Sequence, residues 1–188
     1  VEAEERLLLP MVERLIAQDS GLRVLWAPRS PQRFQTVADK LRSKWITVTL
    51  RSSLGREMDA PVPQTQVLVA DSTGEMNAFY PVADLVFVGA SLVDHGGHNI
   101  IEPLVLGRPV VMGPSTYGID FAAEPAGQAG AFESLQDAVA LEKRIVELLV
   151  DPVALAKMSA ASIAFATDKT GAAKKTFLVL HSLLSPNT

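Results

Sequence analysis

Along this chain, short apolar runs alternate with longer stripes in which apolar residues recur every three or four positions. Leu8, Met11, Val12, Leu15 and Ile16 form the first stripe and predict a helix over residues 3 to 19, with Glu2, Glu4 and Glu5 favourably placed near its N-terminus. Pro10 either begins the regular part of that helix or kinks an earlier turn. After Gly21, Leu22 to Ala27 reads as a strand; Ser30-Pro31 then reads as an N-cap with proline at the first helical position, opening a helix to about Ser43. Trp45 to Leu50 predicts a second strand, and Arg51 to Gln64, with Gly55, Pro61 and Pro63, a connecting loop. Val67 to Ala70 predicts a third strand, followed by a polar turn at Asp71 to Glu75 and a short helix to about Tyr80.

The stretch from Asp84 to Pro114 organises the rest. It reads as a buried strand (Leu85 to Val88), a small-residue turn (Gly89, Ala90, Ser91), a glycine-rich loop (His95 to Asn99), a helix and a second buried strand (Val110 to Met112). Ser115 to Gly118 follows as a polar loop, Asp120 to Gln128 as a helix and Gly130 to Phe132 as a very short strand. Helices are then expected at about 134 to 150, 152 to 166 and 172 to 184. Strands alternating with helices on short connections imply an α/β fold, a Rossmann-like, mostly parallel sheet with helices on both faces.

Composition narrows the possible roles. The 188 residues suit a single domain spanning 1–188. A net charge of −4 gives no general attraction for nucleic acid, and no apolar run is long enough to span a bilayer, so the chain is expected to be soluble by itself. Without cysteine there is no disulfide framework and no thiolate metal site.

In a parallel sheet the turns after successive strands share one edge, where ligands bind. The unusual residues of this chain gather in such turns: Pro28-Arg29, Asp71 to Glu75, Gly89 to Asn99 and Gly113 to Thr116. Gly96 and Gly97, placed before a helix, either form a plain turn or bring backbone N–H groups up to a phosphate. Asn99 with Glu102, and Ser72 with Glu75, have the spacing of a capping box; alternatively each carboxylate accepts hydrogen bonds from ribose hydroxyls. Arg29 is either a phosphate-binding fork or a solvated surface residue. His95 and His98 lack further ligands for a metal and are expected to pack or hydrogen-bond within the loop, and His181 is expected to be structural. No Walker loop, Ser-His-Asp spacing or dinucleotide fingerprint is present, and no residue stands out as a general base.

These residues together resemble the 3-deoxy-D-manno-octulosonic acid (Kdo) transferases, specifically their C-terminal half. The matching pieces are Pro28-Arg29 with Pro31 to Phe34, Asp71 to Met76, Ala83-Asp84, Phe87 to Gly89, Ser91 to Val93, Gly96 to Asn99, Glu102-Pro103, and Gly113-Pro114 with Thr116. The resemblance covers most of residues 3 to 132 and weakens in the C-terminal helices. It implies half of a GT-B glycosyltransferase that transfers Kdo from CMP-Kdo to a lipid A precursor, at the cytoplasmic face of the bacterial inner membrane. Nucleotide contacts carried over by position are Pro28, Arg29, Thr73, Gly74, Glu75, Asn99, Ile100, Ile101 and Glu102, with Ser91, Gly96 and Gly97 shaping the pocket. It implies no cofactor and no metal, and it places the acceptor groove, membrane contact and general base in an N-terminal domain without a counterpart here. This half alone is then expected to be inactive. The strand expected just before Val1 also lacks a counterpart, so open strand edges are expected. Ser30, Thr73, Ala90 and Ser115 depart from the family, where His, Met, Gly and His are usual. Another GT-B enzyme using a UDP-sugar, or a non-catalytic nucleotide-binding module, are the alternatives from the same residues.

Overall fold

A computed structural model describes residues 2–55 and 64–169. The six strands among the described residues are short and form two three-stranded sheets, each entirely parallel. One has the order β1 (Val24–Trp26), β3 (Val67–Val69), β2 (Val48–Leu50). The other has the order β4 (Val86–Phe87), β5 (Val110–Met112), β6 (Phe132–Ser134). The sequence pattern predicts one sheet; the described ladders give two, with β1 paired only to β3 and β4 only to β5.

Helix α1 (Glu2–Gln18) binds the two sheets together. Leu9, Val12 and Ile16 pack with Val67 and Val69 of β3 and with Val37, Ala38 and Leu41 of α2 (Phe34–Arg42). On the adjoining face, Met11 and Leu15 pack with Val111 of β5 and with Leu141, Ile145 and Leu148 of α6 (Ala138–Leu149). Arg14 adds a forked ion pair to Glu142, with its Nε donating at 2.8 Å. Pro10 lies inside α1 and does not begin it.

Strand β5 shows why an unbroken apolar run means burial on both faces. Side chains alternate along a strand, so Val110 and Met112 point into one core and Val111 into the other. The first core is completed by α4 (Ile101–Val105), α5 (Asp120–Gln128) and Phe165 of α7 (Pro152–Lys169). α3 (Met76–Phe79) is a single turn after β3. No single described helix is long and apolar enough to cross a membrane.

Several boundaries differ from the sequence pattern for local reasons. Trp45, expected in β2, turns out of α2 with φ 63° and is 96% exposed; the reversal occupies the left-handed position that often ends a helix. β6 begins two residues later than expected because Gly130 (φ 75°) and Ala131 close α5, donating to the Gly127 and Ala126 carbonyls. α6 begins at Ala138, not 134: Leu135 N–H still extends the ladder to Met112, and Asp137 caps the helix by accepting from Ala140 N–H at 2.8 Å. The helix expected at 172 to 184, with His181, and much of the 51 to 64 loop lie outside the described residues.

Candidate functional site

Parallel pairing brings the turns after β1, β2 and β3 to one edge of the first sheet and those after β4 and β5 to one edge of the second, where a network of hydrogen bonds holds the β4 and β5 turns. Glu4, on the first turn of α1, is 3% exposed, and its carboxylate accepts from the backbone N–H groups of Ala90 (2.6 Å), Ser91 (2.9 Å) and Leu92 (3.0 Å). Ser91 is fully buried; its hydroxyl donates to Val88 C=O and accepts from Gly113 N–H, both at 2.8 Å. Gly113 lies so close that a Cβ there would collide with the Ser91 carbonyl oxygen. Ala90 has φ 63°, a left-handed conformation that suits glycine better.

The glycine-rich loop is pinned to this frame by its own N–H groups. Gly97 donates to Ala90 C=O, His98 to Gly89 C=O, and Gly96 to the Ser115 hydroxyl at 2.9 Å. Gly96 and Gly97 are glycines of necessity, with φ 78° and 72° and with Tyr117 and Met112 where a Cβ would stand. Of the two readings of the glycine pair, a plain turn or a phosphate cradle, the hydrogen bonds of residues 96 to 98 fit the plain turn. The N–H groups of residues 96 to 98 are committed internally, and α4 spans only five residues.

Asn99 and Glu102 form a variant of the expected capping box. Asn99 Oδ1 accepts from Ile101 N–H at 2.9 Å, but Glu102 receives the Asn99 side-chain amide at 3.1 Å and does not reach back to the Asn99 backbone. Both side chains are exposed, while Ile100 is fully buried in the core beside α4 and Ile101 packs against it. Tyr80 is half-buried nearby; burial, with a smaller effect of the Glu102 carboxylate, pushes its phenol above the usual range.

Ser72 and Glu75 also depart from a capping box. The Ser72 hydroxyl donates to the Glu75 carboxylate, whose other oxygen accepts from Arg51 at 2.9 Å. Asp71 accepts from Ser52 N–H at 2.7 Å and from its hydroxyl. Burial acts to raise the Asp71 pKa, but the combined Ser52 and backbone hydrogen bonds outweigh it and hold the group below its ordinary value. Thr73 and Gly74 form the exposed tip of this turn, with Gly74 at φ 82°.

Arg29 joins the two edges. Its Nη1 lies 3.2 Å from His98 Nδ1. A guanidinium only donates, so Nδ1 is the acceptor and the imidazole is the neutral Nε2–H tautomer. Burial first, then the Arg29 charge, push the His98 pKa below its ordinary value. The remaining Arg29 donors face an exposed edge next to Pro28, which is half-buried.

The structure thus gathers Arg29 with the glycine loop, Asn99 with Glu102, and Glu75 with Arg51. No hydrogen bond or ion pair joins Thr73 to Glu75 with Asn99 or Glu102 among the described residues. Glu4 and Arg51 escaped the sequence reading. Arg51 follows β2 as Arg29 follows β1, a parallel that could have nominated it; Glu4 carried no signal beyond helix-terminal charge. Among the described residues, no three His, Asp or Glu side chains gather as metal ligands would.

No family model matches the chain. It is 32% identical over 185 residues to the 3-deoxy-D-manno-octulosonic acid transferase of Haemophilus influenzae, covering 98% of this chain and 42% of that protein. It is 35% identical over 161 residues to that of Bordetella pertussis, covering 86% and 37%. The chain spans less than half the length of these curated relatives. Among solved structures, WaaG, a glycosyltransferase involved in lipopolysaccharide biosynthesis, matches with TM-score 0.58 at 11% identity over 93% of this chain and 42% of that one, and so shares the fold. The C-terminal CMP-Kdo binding domain of WaaA from Acinetobacter baumannii matches with TM-score 0.76 at 31% identity, over 86% of this chain and 82% of that one. The chain belongs to the Kdo transferase family, as a counterpart of its C-terminal domain in the GT-B fold.

Proposed function

We propose that this chain is the donor-binding half of a Kdo transferase and holds the nucleotide of CMP-Kdo along the edge that carries Arg29. The observation that carries this reading is the likeness to a CMP-Kdo binding domain, combined with the position of Arg29 between the two edges. Arg29, steadied by His98 and flanked by Pro28, presents its free donors to the single phosphate. Asn99 and Glu102 present exposed acceptors for ribose hydroxyls, positioned by the backbone of Ile100 and Ile101. Thr73, Gly74 and Glu75 close the nucleotide from the β3 turn. Ser91, Gly96 and Gly97 shape the wall without donating N–H groups to the ligand.

In the full-length protein an acceptor hydroxyl attacks the anomeric carbon of Kdo. Its proton passes to a general base outside this chain, and the bond from that carbon to the phosphate oxygen breaks with its electron pair leaving on CMP. Arg29 stabilises the charge gathering on that phosphate. No oxidation occurs, so the step calls for no redox cofactor, and the residues named here use no metal. The acceptor is a lipid A precursor, reached at the cytoplasmic face of the inner membrane through the N-terminal part.

Calorimetry with CMP, UMP, UDP and adenine nucleotides tests the reading. CMP is expected to bind best, and Asn99→Ala with Glu102→Ala to remove binding. No measurable CMP affinity in the full-length protein, or a preference for a diphosphate, would overturn it.

A further inference from the structure

Beside the glycine loop lies an open cavity of about 500 Å³, between the 91–94 and 114–120 turns, and Arg29 takes no part in its lining. Its size is that of a small-molecule site, roughly 300–1,000 Å³. Asp94, Ser115, Thr116, Tyr117 and Asp120 supply its polar lining, over Leu92; no lysine, arginine or histidine contributes to it. The Tyr117 ring is seated against Gly96, yet the residue remains 58% exposed, and Phe121, next to Asp120, is 77% exposed. The hydroxyls are already oriented: Thr116 donates to Asp120 at 2.8 Å, and Ser115 receives Gly96 N–H.

We infer that this cavity binds an uncharged, hydroxyl-rich pyranose stacked on Tyr117. An aromatic face offers apolar area to the C–H side of a sugar ring, and carboxylates accept from its hydroxyls with capacity to spare. The same two carboxylates, with no cation to offset them, repel a phosphate or a sugar acid. The cavity is therefore chemically unlike the Arg29 side of the loop, and a sugar acid such as Kdo belongs on that other side. Placing Kdo on the Arg29 side rests on the donor reading above; the preference of this cavity for an uncharged ring does not.

The chain has two tyrosines, Tyr80 and Tyr117, so fluorotyrosine labelling gives one fluorine signal for each. Titration with methyl glucopyranoside is expected to move the Tyr117 signal saturably and leave the half-buried Tyr80 signal in place. Methyl glucuronide, the same ring bearing a carboxylate, is expected to bind about tenfold more weakly, and Asp120→Asn to narrow that gap. An unmoved Tyr80 signal shows that the variant remains folded. The inference falls if the glucoside produces no saturable shift, if the glucuronide binds as tightly, or if CMP alone moves Tyr117, which would make the ring a platform for the base. CMP affinity measured separately by calorimetry reports on the donor reading, so the two can fail independently.

Discussion

The turns above the two sheets are held in opposite ways. Above β4 and β5, buried side chains bind backbone: Glu4 accepts three N–H groups and Ser91 links Val88 to Gly113. Above β1, β2 and β3, partly exposed side chains bond mostly to one another: Arg51 pairs with Glu75, and Asp71 takes the Ser52 hydroxyl as well as its N–H. The first arrangement fixes a shape, and the second leaves charges at the surface, able to exchange a neighbour for a ligand. A glycine-rich loop is thus no proof of a phosphate cradle; here its N–H groups at residues 96 to 98 belong to the frame.

Removing the acceptor of the frame is expected to have the largest effect. Glu4→Ala leaves two buried N–H groups and a partly buried one without their acceptor and should cost about 3–5 kcal/mol, a large share of a total of roughly 5–15. Urea unfolding measures it, and a loss below about 1 kcal/mol would erase the contrast between the two edges. Gly113→Ala should follow at about 1–3 kcal/mol, since the added methyl meets the Ser91 backbone. Arg29→Ala should instead weaken CMP binding by about 2 kcal/mol, the worth of a charge-assisted hydrogen bond, with little change in unfolding midpoint. Arg51→Ala should change stability by only about 0–1 kcal/mol, because its pair with Glu75 is partly solvated.

The smallest expected effect is a pH dependence from His98. Its folded-state pKa lies below the ordinary 6.5, so over that interval the unfolded chain binds more protons than the folded one. The stabilisation is complete above pH 6.5 and is lost as pH falls toward the depressed folded value. His98→Gln should flatten the dependence of the melting temperature on pH just below 6.5; an unchanged slope would show that other groups set it.

Much of this architecture was legible because it follows from local chemistry. The run Val110 to Met112 could only be a strand buried on both faces, and Gly96, Gly97 and Asn99 announced a turn before a helix. Three things were not legible. Trp45 sits in a left-handed turn where glycine is usual, against its propensity for strand. Glu4 and Glu5 read only as favourable helix-start charges, but tertiary contacts bury them, Glu5 against Arg33 and Lys40. Likewise, the direction of N–H groups in the glycine loop depends on Ala90 and Ser115, which only the fold brings alongside. Composition names the residues of an edge, whereas the partners that use up their hydrogen bonds are set by topology.

Helix α1 packs on one sheet with Leu9, Val12 and Ile16, on the other with Met11 and Leu15, and caps the β4 turn with Glu4. Its long-range partners lie as far away as Glu142, so these contacts close loops of high entropic cost. An excursion that lifts α1 uncovers both cores together. Amide exchange from β3 and β5 should therefore proceed through one shared opening with a single free energy, making the two sheets one cooperative unit for as long as that helix stays in place.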